Sequence, residues 1–109
     1  MSIHSVVLRP ERGYPFHVLA KCYTPTNAIH NKDGRTLLLL HSTSFHKEVY
    51  EPTLDDLLVM AQREFESGKR NVRINEIWVI ECPNHGESAT YNQHLLRLPE
   101  YEKIGRAHV

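Results

Sequence analysis

Two short apolar runs separated by a helical repeat constrain this chain more than any other feature. Thr36-Leu37-Leu38-Leu39-Leu40 is a continuous apolar stretch bounded by a turn at Asp33-Gly34 and by a polar loop, the pattern of a strand covered on both faces. Ile77-Trp78-Val79-Ile80 repeats it. Between them Leu54, Leu57, Leu58, Ala61 and Phe65 recur at i, i+3, i+4, i+7 and i+11, which gathers them on one helix face and leaves Arg63, Glu64 and Glu66 toward water. Pro52 and Thr53 suit the start of that helix, Asp55 and Asp56 complement the positive end of its dipole, and Ser67-Gly68 supplies a stop. A strand-helix-strand succession of this length joins two parallel strands through a right-handed crossover. The fold class is therefore α/β, with a βαβ unit at its centre.

The flanks add less. Ser5 to Leu8 reads as a short strand ended by Arg9-Pro10, and His17 to Tyr23 as a second before Thr24-Pro25, together a leading hairpin or meander. Asn27 to Arg35 is a polar loop; after Pro83 the chain is polar and irregular, with a weak helical period over Asn92 to Leu98. A length of 109 residues allows one domain at most. Lys+Arg and Asp+Glu both number 13 and form no long block, which removes the electrostatic reason to expect nucleic acid or an anionic membrane as partner. A small molecule or another protein is left. The run Leu37 to Leu40 falls far short of the roughly 20 apolar residues that cross a bilayer. Met1-Ser2-Ile3-His4 has no basic n-region, so no secretory signal is expected and the expected location is intracellular. Cys22 and Cys82 are the only thiols, which suits a reducing compartment.

Two loops leave the carboxyl ends of the expected parallel strands, where open α/β sheets place their ligand sites. The first, His41-Ser42-Thr43-Ser44-Phe45-His46-Lys47-Glu48, can aim a backbone N–H at a developing oxyanion, with Thr43 the first candidate donor and Ser42 the second. On sequence pattern alone, a polar strand-to-helix connection without chemistry is the favoured reading. The second is Glu81-Cys82-Pro83-Asn84-His85-Gly86-Glu87-Ser88, where Pro83 ends the strand and Gly86 permits a backbone conformation closed to other residues. Gly86-Glu87-Ser88-Ala89 imitates the start of a nucleophile elbow, but the strand ends near Ile80 and Thr90 stands where the last small residue belongs. A Cys82 and His85 pair three residues apart in a turn is weak geometry for nucleophile and base. Eight histidines include no H-x-x-x-H or H-E-x-x-H spacing, so no metal is expected.

Taken in order, Leu37-Leu38-Leu39-Leu40-His41-Ser42-Thr43, Phe45-His46-Lys47-Glu48, Glu51-Pro52 and Glu81-Cys82-Pro83-Asn84-His85-Gly86-Glu87-Ser88-Ala89 resemble fungal α/β-hydrolases of the toxin-biosynthesis type, over roughly residues 5 to 98. The resemblance implies a mostly parallel sheet of which this chain holds the amino-terminal part, a Ser-His-Asp type triad, no cofactor, and hydrolysis of an ester-like or related bond in a small molecule through an acyl-enzyme. Carried over by position, His41 and Ser42 match the His-Gly pair of the oxyanion loop, Thr43 the donor after it, and His85-Gly86 the turn after the fourth strand. Ser42 departs from the usual glycine, adding a Cβ where backbone approaches substrate.

The nucleophile elbow, acid and histidine of that family all lie later than Val109, so residues 1–103 are expected to be part of a hydrolase domain, inactive alone, cytoplasmic or peroxisomal. Ile104-Gly105-Arg106-Ala107-His108-Val109 resembles the translation of a sequencing-adapter start, ATC GGA AGA GCA CAC GTC, and residues 104–109 are expected to be an adapter-derived tail. The alternative is a complete small α/β module that binds a ligand between the two loops without catalysis. A compact esterase using Ser88 or Cys82 is a third reading.

Overall fold

The structure is a computed structural model that describes residues 1–26, 30–42, 44–69 and 73–101. Four strands form one mixed sheet: β1 (Ser2–Leu8), β2 (Val18–Thr24), β3 (Arg35–Leu40) and β4 (Ile74–Ile80), in the spatial order β1-β2-β4-β3. The leading pair is the expected antiparallel hairpin, Ser2 facing Thr24 and Leu8 facing Val18. The parallel pair is the expected βαβ unit, with Leu37 beside Ile77 and Leu40 beside Ile80. β2 closes antiparallel on the other side of β4, Cys22 facing Trp78. β4 begins three residues before the apolar run because its polar residues have partners. Asn75 is bonded to both backbone groups of Asn31, accepting at 3.0 Å and donating at 2.6 Å, and Glu76 accepts from the Cys22 thiol.

The helix α1 (Glu51–Glu66) continues from a 3-10 turn over Lys47–Tyr50 and carries Pro52 in its first turn. It ends as its last residues dictate. Gly68 takes φ +78°, the Lys69 N–H reaches the Glu64 carbonyl and the Gly68 N–H reaches that of Phe65, which satisfies carbonyls that the helix leaves open. Leu54 and Leu58 are buried against Tyr23, Ile77 and Val79 on one sheet face, with Leu37 and Leu39 packed alongside. Leu57, expected on the same apolar face, lies at its margin and is exposed.

One expectation is corrected. The apolar run of β3 is covered on one face only: Leu37 and Leu39 turn toward α1, while Leu38 and Leu40 on the opposite face stay 59% and 63% exposed. The strand reads as doubly buried because its outer leucines are apolar, yet nothing in the described residues lies over them. A second correction concerns the stretch after Pro83, which is helical from Gly86: α2 (Gly86–Tyr91) and α3 (Gln93–Leu96) flank Asn92, followed by a 3-10 turn over Pro99–Tyr101.

The start of α2 depends on the carboxylate of Glu81, which is fully buried at the end of β4. One of its oxygens accepts the Ser88 N–H at 3.0 Å; the other accepts the Lys47 N–H at 3.0 Å, and the Lys47 ammonium lies 3.4 Å away. A carboxylate thus takes the place of a local cap for one helix and fixes the entrance to another. Lys47, itself 2% exposed, is also 3.2 Å from both Glu48 and Glu87. Burial alone disfavours its charge, but Glu48, Glu81 and Glu87 outweigh that and hold its pKa above the ordinary value. Gly86 takes φ +49°, and a Cβ there would run into the Glu81 carboxylate, so the backbone freedom expected of this residue is used and the space is needed too.

Removing the carboxylate leaves a buried ammonium and two orphaned amides. Glu81→Ala is therefore expected to lower unfolding free energy in urea melts by about 3–5 kcal/mol, and Gly86→Ala to be destabilising and non-additive with it. A Glu81→Ala loss below about 1 kcal/mol would contradict this role. At the sheet's end, the bare edge of β3 with Leu38 and Leu40 is expected to drive concentration-dependent association, measured by analytical ultracentrifugation and reduced in a Leu38→Lys, Leu40→Lys double variant. A monomer at every concentration would refute it.

Candidate functional site

The two loops at the carboxyl ends of β3 and β4 meet, and they meet through their histidines. His41 directly follows β3; its Nε2 accepts the Cys82 backbone N–H at 3.0 Å, so a side chain of the first loop is tied to the backbone of the second. His85 returns the contact, its Nε2 accepting the Ser44 backbone N–H at 2.9 Å. The rings lie 4.9 Å apart between centroids at 55°, and both are buried. Because each Nε2 is an acceptor, each ring carries its proton on Nδ1, where His41 meets the Ser42 carbonyl at 2.9 Å and His85 meets Asn84 Oδ1 at 2.6 Å.

This reciprocal tie holds the first loop in an uncommon shape. The Phe45 N–H reaches the Ser42 carbonyl at 3.1 Å, and Ser44 takes φ +73°, the one positive φ outside glycine among the described residues. Such a conformation costs about 1–3 kcal/mol and persists where its surroundings enforce it; here the His85 ring does so. Ser42 has no positive φ, so a side chain in place of the usual glycine adds no backbone strain there. Ser42 is exposed at the mouth of the loop. Thr43, the first candidate donor, lies outside the described residues, as does the stretch 104–109.

Ser88 lies inside the fold. Its side chain is fully buried; its hydroxyl accepts the Leu19 N–H at 3.1 Å and donates to the Glu81 carbonyl at 3.4 Å. It sits inside α2 and not on a strained turn after a strand, so the Gly86-Glu87-Ser88-Ala89 segment is no elbow. The same region holds residues whose roles the sequence left unread. Asn92, fully buried, accepts the His17 N–H at 2.7 Å and donates to the His17 and Pro83 carbonyls at 2.8 and 3.0 Å, fastening the second loop to the start of β2. Lys47 lies at the far end of the first loop and is fixed by Glu81 from the second. A charge in each of two adjacent loops was the only available signal, and it does not specify a pair 34 residues apart.

Cys82 is exposed and close to both rings: one donor atom each from His41, Cys82 and His85 lie within 4.8 Å of one another. The poor nucleophile-base geometry expected of Cys82 and His85 overlooked this third member, brought in by the parallel pairing. A separate groove of about 240 Å³, lined by residues including Met1, Pro25, Leu58, Val59 and Arg63, lies against α1 and touches neither loop. No helix of the described residues is long and apolar enough to cross a membrane.

No family model matches the chain, and no curated protein does. Among solved structures it is similar to the peroxisomal α/β-hydrolase Lpx1 of Saccharomyces cerevisiae, with a TM-score of 0.60 and 22% identity, over 84% of this chain and 27% of that one. The chain thus spans about a quarter of the length of that hydrolase. At this identity the likeness speaks for the fold alone, a mixed four-stranded sheet with helices. The fold of the chain is therefore similar to part of an α/β-hydrolase, with its sheet unclosed.

Proposed function

We propose that this chain supplies the oxyanion side of a hydrolase active site and not its nucleophile. The observation that carries the reading is the cross-tie of His41 to Cys82 and of Ser44 to His85. It fixes a loop of uncommon backbone shape at the carboxyl end of two parallel strands, where an α/β sheet presents its site. A rigid loop is what oxyanion stabilisation needs: a backbone N–H already aimed where charge develops requires no reorganisation as the carbonyl becomes tetrahedral, and one such donor is worth about 10²–10³ in rate. In this reading the backbone donors are those of Thr43 and, second, Ser42, with His41, His85 and Gly86 maintaining the loop.

The remaining machinery of the reaction belongs to chain beyond the quarter of the fold represented here. A serine on a later strand-to-helix turn would attack an ester-like carbonyl, a histidine would take its proton, and the second oxyanion donor would follow that serine. The proposed substrate of the whole enzyme is a small molecule with an ester-like or related bond. The proposed location is cytoplasmic or peroxisomal, in keeping with the peroxisomal neighbour. The fungal, toxin-biosynthesis character suggested by the motifs remains part of this proposal.

This chain alone is expected to be catalytically silent, because Ser88 is committed inside the fold. Incubation with a serine-directed fluorophosphonate followed by intact-mass measurement should show no adduct, and short-chain p-nitrophenyl esters should hydrolyse at the buffer rate. A stoichiometric adduct on Ser88, lost in Ser88→Ala, would overturn the proposal in favour of a self-contained esterase.

A further inference from the structure

We propose that His41, Cys82 and His85 form a binding site for a thiophilic divalent cation of the zinc type. Three donors of the kinds that zinc selects, two imidazole nitrogens and a thiolate, converge from two loops to within 4.8 Å of one another. Tetrahedral zinc holds such donors about 3.5 Å apart, so the closing movement is about 1 Å. Cys82 is the exposed member of the three, so its side chain is the one with room to move.

The second observation is the state of the rings. Both histidines are held with the proton on Nδ1 against a carbonyl-type oxygen, the Ser42 backbone for His41 and the Asn84 side chain for His85. This is the arrangement that orients metal-binding histidines and raises the basicity of Nε2. Each Nε2 presents its lone pair toward the other loop, where it now accepts a backbone N–H. A cation at this point exchanges those two hydrogen bonds for coordinate bonds and frees the Cys82 and Ser44 amides. Metal capture and the cross-tied loop are then alternative states of the same two rings. The other thiol does not compete: Cys22 is buried, and burial, with Glu76 beside it, pushes its pKa up to about 11.

Titration of the full chain with Co²⁺ as a spectroscopic probe should give one bound ion per chain, with a thiolate-to-cobalt charge-transfer band and the visible absorption of a tetrahedral site. Zn²⁺ should displace it. Cys82→Ser, at an exposed position that leaves the core intact, should lose the charge-transfer band and weaken Zn²⁺ binding by about tenfold or more, whereas Cys22→Ala should keep both. His85→Gln should also weaken binding; should that variant fail to fold, the Cys82→Ser comparison decides alone. Binding without a thiolate band, unchanged affinity in Cys82→Ser, or no binding would each overturn the proposal, the first by assigning the ion to scattered surface histidines.

Discussion

A carboxylate with no access to water has to be satisfied by its neighbours, and at Glu81 those neighbours join the two loops at the carboxyl ends of β3 and β4. The side chain directly follows β4, where it receives the Ser88 amide in the first turn of α2, the Lys47 amide at the end of the first loop and the ammonium of Lys47. Desolvating an ion pair is expensive, so such a pair contributes less to net stability than to uniqueness: any rearrangement that withdraws one partner leaves the other charge stranded. The pair therefore ties the geometry of both loops to the completion of the sheet. Gly86 belongs to the same constraint, since only a residue without a Cβ leaves room for the carboxylate. The charges continue outward through Glu48 to Lys21, 2.9 Å apart, and Lys21 approaches Glu51 at the start of α1.

Above this charged layer lies the histidine pair. Each ring belongs to one loop and accepts a backbone hydrogen bond from the other, so neither loop can move without breaking a contact made by its partner. That reciprocity explains how a serine tolerates a left-handed backbone at Ser44, and it is the stiffness that the proposed oxyanion role requires. It also brings Cys82 beside two imidazoles. Rigidity and a latent metal site thus arise from the same placement of residues.

Much of the fold was legible because its signals are local. The apolar runs at Thr36–Leu40 and Ile77–Ile80, the helical period between them, the Ser67-Gly68 stop and the unusual backbone at Gly86 all express preferences within a few residues. What was not legible depends on pairing at a distance. Lys47 with Glu81, Asn92 with His17, and His41 with Cys82 are separated by 34, 75 and 41 residues, and each partner taken alone reads as an ordinary polar loop residue. The reading of Leu38 and Leu40 as buried failed for a different reason: apolarity records what a position is suited to, whereas its cover depends on which elements are present.

The most direct test of this account is site-resolved amide hydrogen exchange on the folded chain, read at Ser44, Lys47, Cys82 and Ser88. These four amides donate to His85, Glu81, His41 and Glu81 respectively, and none of these bonds belongs to a regular helix or strand ladder. If the loops are one locked unit, all four are protected to within about 1 kcal/mol of the β4 core amides. Exchange near the rate of an unstructured peptide at Lys47 and Ser88, with β4 still protected, would contradict the claim that the buried Glu81 carboxylate organises the site.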